Sequence, residues 1–305
     1  TTTAAATTTT ATATSGAARA ESCSSCVTDE DELQDQTGAP SSSPVGRGQV
    51  LEERYAVKSS IGQGRFSTVH LGQCLRTGKP CAIKAIFKGT RCERDAAYCE
   101  AQTLQAVTHH GVNRLVDVIE DQCNVYLVLE HVDGQDLFEY LRDMGCMSEQ
   151  EAAQIIQQVL QALAHCHQEN IVHRDIKCEN IMVHRRSSSG LPPKVTLIDF
   201  GLAIPGGAAL EGGMEGSVPY LAPELAGLCI CHASQDLWSA GVVLFAMLTG
   251  ELPSSQVSSG AAALQLPAQF SEEAQSFLAG IMHPEASERM SAQEASEHPW
   301  LKRVV

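Results

Sequence analysis

The run HRDIKCEN occupies His173 to Asn180, and IDFG follows at Ile198 to Gly201. Both set ionisable and amide side chains between apolar neighbours. Asp175 can accept a proton from a hydroxyl group. Lys177, two places on, can neutralise charge on a phosphoryl group in flight. Asn180 and Asp199 are hard oxygen donors of the kind Mg²⁺ takes, few in number and completed by phosphate oxygens. Any one of these residues alone would pass for a solvated surface position. All of them in this order, with Ala222-Pro223-Glu224 downstream, do not arise by accident.

Upstream, Cys81-Ala82-Ile83-Lys84 puts a lysine inside an apolar strand pattern. Burying an ammonium is costly unless it meets an anion. Glu100, on the helical pattern that comes next, is the natural partner. Taken alone, a lysine whose head snorkels to solvent is the more ordinary reading. Before it, IGQGRFSTVH (Ile61 to His70) is a glycine-rich turn between strand patterns, and its backbone can approach a polyphosphate closely. Most such turns are only turns. Ser67 stands where a third glycine would be, and no βαβ unit follows, which argues against a dinucleotide fold.

Short apolar runs separated by turns (Tyr55-Ala56-Val57, Thr68 to Leu71, Cys81 to Ile86, Leu115 to Glu120, Val125 to Leu129) predict strands. One helical pattern, Glu93 to Val107, interrupts them. After Gly134 the pattern turns helical: Leu137 to Met144, Ser148 to His167 with Ser148 as N-cap, Gln235 to Thr249, and Ser271 to Met282. The fold class is therefore α+β, with a β-rich lobe over about 51–130 and an α-rich lobe over about 136–303. The connection between them falls near Glu130 to Asp136.

With these runs in place the sequence resembles the protein kinase family over about residues 51–303. The resemblance rests on Gly62-x-Gly64-x-x-Ser67-x-Val69, Cys81 to Lys84, Glu100, HRDIKCEN, Asp199-Phe200-Gly201, Ala222-Pro223-Glu224, Asp236-x-Trp238-Ser239-x-Gly241 and Arg289. Lys177 two places after Asp175 matches the serine/threonine branch. NVYLVLEHVDGQDLFEYL and SAQEASEHPWL are most similar to the calcium/calmodulin-dependent group, including plant and protist calcium-dependent kinases.

The resemblance implies a bilobal fold and an enzyme that phosphorylates protein serine or threonine from ATP and Mg²⁺. ATP would lie between the lobes. Ile61, Gly62, Gly64 and Ser67 would cover it. Val69, Ala82 and Met182 would sandwich the adenine, with Leu129 as gatekeeper and the backbone of Glu130 and Val132 at the ring edge. Lys84, held by Glu100, would bind phosphates. Asp199 and Asn180 would hold the metal. Asp175 would act on the substrate hydroxyl, assisted by Lys177. Asp136 and Glu179 match positions that receive an upstream Arg of the substrate; the plainer alternative has Asp136 on the ATP ribose and Glu179 solvated. Ser217 would fix Asp175 and Lys177, and Glu224 and Arg289 would form a buried ion pair. A non-catalytic scaffold of the same fold is the competing reading.

Three stretches depart from the family. In many relatives Arg174 pairs with a phosphate on the segment between Gly201 and Ala222. Here Leu202 to Gly216 contains no Ser, Thr or Tyr, and the expected phosphosite is Gly213. Glu211 and Glu215 are the carboxylates left to pair with Arg174, so the segment is expected to be set constitutively or by a partner. The stretch after Leu252-Pro253 is short, and His184 to Lys194 is a polar insertion. No D-x-D-x-D-G loop occurs, so calcium control is not expected from these residues.

The 305 residues carry a net charge of -15, which argues against nucleic acid or an anionic membrane as the main partner and suits a basic partner or a surface that only needs solubility. No apolar run approaches a membrane span. Residues 1–50 are Thr/Ala-rich, then acidic and Ser-rich, and predict a disordered segment. The twelve cysteines are scattered through core-like segments, which points to a reducing, intracellular and cytoplasmic setting. Cys23 and Cys26 form one CxxC with no second pair at zinc spacing, so no metal is expected there.

Overall fold

The upper part of the fold is a sheet with one long helix, because that is where short strand runs and one amphipathic pattern alternate in the sequence. The computed structural model describes residues 46–47, 51–64, 67–184, 193–209, 215–226, 230–254 and 267–304. Residues Ser43–Val305 form one unit. The Cys23–Cys26 pair, most of the 184–194 insertion, Glu211 and Gly213, and 255–266 after Pro253 lie outside the described residues.

In chain order the upper elements are β1 (Gly46–Arg47), α1 (Leu51–Arg54), β2 (Tyr55–Gln63), β3 (Ser67–Cys74), β4 (Pro80–Phe87), α2 (Arg91–Ala106), β5 (Leu115–Glu120) and β6 (Asn124–Glu130). The strands form one sheet in the order β1-β5-β6-β4-β3-β2, antiparallel except for the parallel β1–β5 pair. Strand β1 falls within 1–50: Gly46 and Arg47 pair with Ile119 and Glu120, because an edge strand offers free backbone groups to a neighbouring chain. Helix α2 begins at a capping box. Thr90 Oγ1 accepts from Glu93 N–H at 3.2 Å, and the Glu93 carboxylate accepts from Thr90 N–H at 2.8 Å.

Below lie β7 (Gly134–Asp136), α3 (Leu137–Met144), α4 (Glu149–Gln168), β8 (Ile171–Val172), β9 (Ile181–His184), β10 (Val195–Leu197), β11 (Ile204–Pro205), α5 (Ser234–Thr249), α6 (Glu272–Ile281), α7 (Ala292–Ser296) and α8 (Pro299–Val304). Strands β10-β9-β7 form a small sheet and β11-β8 a ribbon. These pieces of two to four residues are too short for a period to register, so the sequence shows only helices here. Strand β7 belongs to the lower lobe through its pairing with β9, which shortens the connection to His131–Asp133.

Ile155, Ile156, Val159, Leu160 and Leu163 bury one face of α4. Helix α5 is apolar on nearly every side and is buried along almost its whole length. The expected pair is present: Arg289 meets Glu224 with its Nη1 and Nη2 atoms, at 2.7 and 2.9 Å, and lies over the Trp238 ring. Removing one partner of such a buried pair costs about 3–5 kcal/mol.

Ser148 caps α4 as expected, with Glu151 completing a capping box. Its neighbour Glu149 ties three elements. It accepts from Ser271 N–H (2.7 Å) and Oγ (2.6 Å) at the start of α6 and from Trp300 Nε1 (3.1 Å) in α8. Burial works against the charge, but the Ser271 and Trp300 hydrogen bonds hold the Glu149 carboxyl below its ordinary range. A depressed carboxyl stabilises the fold fully above its unfolded pKa of about 4.3 and loses that contribution as pH falls through its lower folded value. Glu149→Gln should therefore lower stability by about 1 kcal/mol at pH 7 and by less below about pH 4. Urea denaturation at both pH values checks this; an undiminished gap at the acid end would count against it.

Candidate active site

Strand register fixes the roof of the site. Gly62 pairs with Val69, Val69 with Lys84, and Lys84 with Leu127; one step along, Leu71 pairs with Ala82 and Ala82 with Leu129. Directly paired residues share a sheet face, and so do residues two apart along a strand. Val69, Ala82, Lys84 and Leu129 therefore stand on one face. Ile61, beside Gly62, is exposed. Gly64 N–H donates to Ser67 C=O at 2.8 Å and closes the turn, where a Cβ on Gly64 would meet Ser67 Oγ at 2.9 Å. Glu130 ends β6, and Val132 lies in the connection that follows. Met182 pairs with Asp136 in the lower sheet.

Lys84 is 7% exposed. Its Nζ lies 2.7 and 2.9 Å from the two Glu100 oxygens and 2.7 Å from Asp199 Oδ1. Burial opposes charge on Lys84 and on Asp199. The Glu100 and Asp199 carboxylates nevertheless raise the Lys84 amine above its ordinary range, and Lys84 holds Asp199 below its own. Asp199 has a left-handed backbone (φ 60°), which its carboxylate supports by accepting from Gly201 N–H at 3.2 Å. A Cβ at Gly201 would stand 3.2–3.4 Å from Asp199, Lys84 and Glu100 together, a tight fit among the three charged groups.

The 173–180 loop carries the second cluster. Lys177 Nζ is 2.6 Å from Asp175 Oδ2, and Asn180 Nδ2 donates to the same oxygen at 2.9 Å and to the Asp175 carbonyl at 2.8 Å. Ser217 Oγ donates to Asp175 Oδ1 at 3.0 Å and accepts from Lys177 Nζ at 3.0 Å. Ile198 N–H donates to the Asn180 carbonyl at 2.9 Å, so Asn180 and Asp199 come from adjacent backbone. Arg174 Nη2 donates to Glu215 Oε2 at 3.0 Å. Of the two carboxylates expected to serve Arg174, Glu215 does so.

Asp136 caps α3 by accepting from Glu139 N–H at 2.8 Å, and Glu179 is exposed in the turn Cys178–Asn180. Burial first, then the nearby Glu179 and Asp136 carboxylates, push the Cys178 thiol up to about 12.

One residue whose role the sequence left open is central. Fully buried Asp236 accepts from His173 N–H (2.9 Å), Arg174 N–H (2.8 Å) and His167 Nε2 (2.8 Å). It holds Arg174 in a left-handed conformation (φ 68°) that a non-glycine residue does not adopt unaided. An acid in the first turn of an otherwise apolar helix was the available signal. Buried His173 completes the arrangement by packing its ring 4.5 Å from that of Phe200.

The family model described as protein kinase domain matches residues 55–301. Sperm motility kinase 3A of Mus musculus is 33% identical over 275 residues, covering 86% of this chain and 52% of its own length. Serine/threonine-protein kinase H2 of Homo sapiens is 32% identical, covering 81% and 67%. Calcium/calmodulin-dependent protein kinase type 1 of Macrobrachium nipponense is 29% identical, covering 84% and 77%. The chain spans about half the length of the mouse relative.

Asp236→Ala would leave two buried N–H groups without acceptors, at about 1–3 kcal/mol each. The variant should lose about 3 kcal/mol or more in urea denaturation, and Asp236→Asn, which keeps one acceptor, should lose less. Wild-type stability in the alanine variant would refute the role.

Proposed function

The chain belongs to the protein kinase family, and we propose that it transfers the γ-phosphoryl group of ATP to serine or threonine hydroxyls of proteins. The observation that carries this reading is the pairing of two clusters, Lys84–Glu100–Asp199 and Asp175–Lys177–Asn180–Ser217, joined by the hydrogen bond from Ile198 N–H to the Asn180 carbonyl. Its serine/threonine relatives support the acceptor class.

The apolar face of Val69, Ala82 and Leu129, with Met182 from below, suits an adenine ring. Ile61, Gly62, Gly64 and Ser67 would lie over the phosphates. Lys84 would hold the α- and β-phosphates, its amine kept charged by Glu100. Asp199 and Asn180 are one carboxylate and one carboxamide, a donor set that suits Mg²⁺ completed by phosphate oxygens. When bound, the metal would supply charge neutralisation. Asp175 would take the proton of the substrate hydroxyl as that oxygen bonds to the γ-phosphorus and the bond to the ADP oxygen breaks. Lys177 would balance charge on the phosphoryl group in transit. Little covalent chemistry falls to the protein, so positioning and charge do most of the work.

Asp136 and Glu179 would receive an Arg about three residues before the acceptor, consistent with the acidic chain. Free buried thiols such as Cys81 and Cys166 suit a reducing intracellular setting.

Purified protein with Mg-ATP and a basic peptide should transfer phosphate, and Lys84→Met and Asp199→Asn should each lose at least about a hundredfold in rate. Equal background in all three would favour the scaffold reading. A peptide array should show an upstream Arg preference that weakens in Glu179→Ala; a flat array would reject that recognition.

A further inference from the structure

Three consecutive residues meet the 173–180 loop one after another. Glu215 pairs with the Arg174 guanidinium at 3.0 Å. Gly216 (φ 121°) runs so close to Arg174 that a Cβ would come within 3.0 Å of the Arg174 carbonyl oxygen and 2.9 Å of Leu221 Cδ2. Ser217 Oγ then lies 3.0 Å from both Asp175 Oδ1 and Lys177 Nζ. The segment thus reaches Asp175 through a clasp whose first member is an ion pair.

The Arg174 side chain is 9% exposed, whereas Glu215 is half-exposed at 49%. A guanidinium withdrawn from water requires an anion. Among the described residues Glu215 is the carboxylate it pairs with; the Leu202 carbonyl adds one neutral acceptor at 3.4 Å. Residues Leu202 to Gly216 include no hydroxyl that could carry a phosphate. The charge that meets Arg174 is therefore encoded in the chain rather than added to it.

We propose that Glu215 is a positioning residue for phosphoryl transfer: its carboxylate, held by Arg174, sets Ser217 against Asp175 and Lys177 without any modification of the segment. The inference rests on the kinase reading above. Downstream, Tyr220 N–H bonds to Ser217 C=O at 2.8 Å and Ser239 Oγ donates to the Tyr220 carbonyl at 2.7 Å, so the far end is already fastened to α5. Glu215 fastens the near end.

The test compares the full chain with Glu215→Ala, Glu215→Asp, Ser217→Ala and the Glu215→Ala/Ser217→Ala double variant, each checked for an unchanged thermal midpoint. Glu215→Ala should lower kcat about tenfold or more, as misplacement in a preorganised site does, with KM for ATP within about twofold. Glu215→Asp should restore part of the loss. The double variant should be no slower than Ser217→Ala alone, because both substitutions act through one path. Wild-type activity should survive phosphatase treatment. An unchanged kcat in Glu215→Ala, independent additive losses, or inactivation by phosphatase would each overturn the proposal. Hydrogen exchange at the Gly216 to Leu221 amides is a readout that needs no activity: Glu215→Ala should speed it. Were the wild type to transfer no phosphate, the kinase reading would fall, and unchanged exchange would separately overturn the role of Glu215.

Discussion

An ammonium group taken out of water must be surrounded by anions, and the site is organised around one such group. Lys84 comes from the middle of β4, Glu100 from α2, and Asp199 from the loop after β10. The single amine therefore joins the sheet, the helix packed on it and the lower lobe. Each partner would be destabilising alone. Together they compensate the desolvation of Lys84 and hold Asp199 ionised, half-exposed, facing the position where phosphate oxygens are proposed to arrive. Gly201 lies in the same crowded place, where a Cβ would stand 3.2–3.4 Å from all three charged heads.

The same rule repeats below. Asp236 and Arg289 are buried charges whose every named partner is a fixed donor or acceptor: backbone N–H groups and His167 for the acid, Glu224 and backbone carbonyls for the base. Neither would be expected to touch a substrate. Their effect is to hold loops in conformations that their own sequences do not favour, most plainly the left-handed Arg174 next to Asp175. The 173–180 loop is thereby held by one buried charge from α5, and Arg289 holds the Glu224 turn in the same way.

The segment between Gly201 and Ala222 shows how a chain with little side-chain content can still be placed. Three consecutive residues among its described contacts with the 173–180 loop are Glu215, Gly216 and Ser217, one charged, one without a side chain, one hydroxyl. Each does a different physical job: an ion pair for attraction, a missing Cβ for approach, a hydroxyl for the final hydrogen bonds. The glycine-rich run before them, read from sequence as lacking a phosphosite, ends in a carboxylate that already occupies the guanidinium of Arg174.

Much of this could be read before the structure was seen. The helices over 137–144, 149–168, 234–249 and 272–281 declare themselves by apolar period and caps, and the strands of the upper sheet by alternation and turns. The residues Lys84, Glu100, Asp175, Asn180 and Asp199 stand out because polar groups in apolar settings demand partners. The sequence by itself could not show the short strands β7 to β11, whose pairing depends on neighbours distant in the chain, nor the parallel addition of Gly46–Arg47. Nor could it show that Glu215 meets Arg174, or that Asp236 holds the backbone of the 173–180 loop. Residue types and spacing determine which chemistry is available, because ionisable groups have fixed properties. Which charge meets which is decided by tertiary structure, because hydrogen bonds and ion pairs form only within about 3 Å, and that distance is set by the packing of elements that the sequence lists far apart.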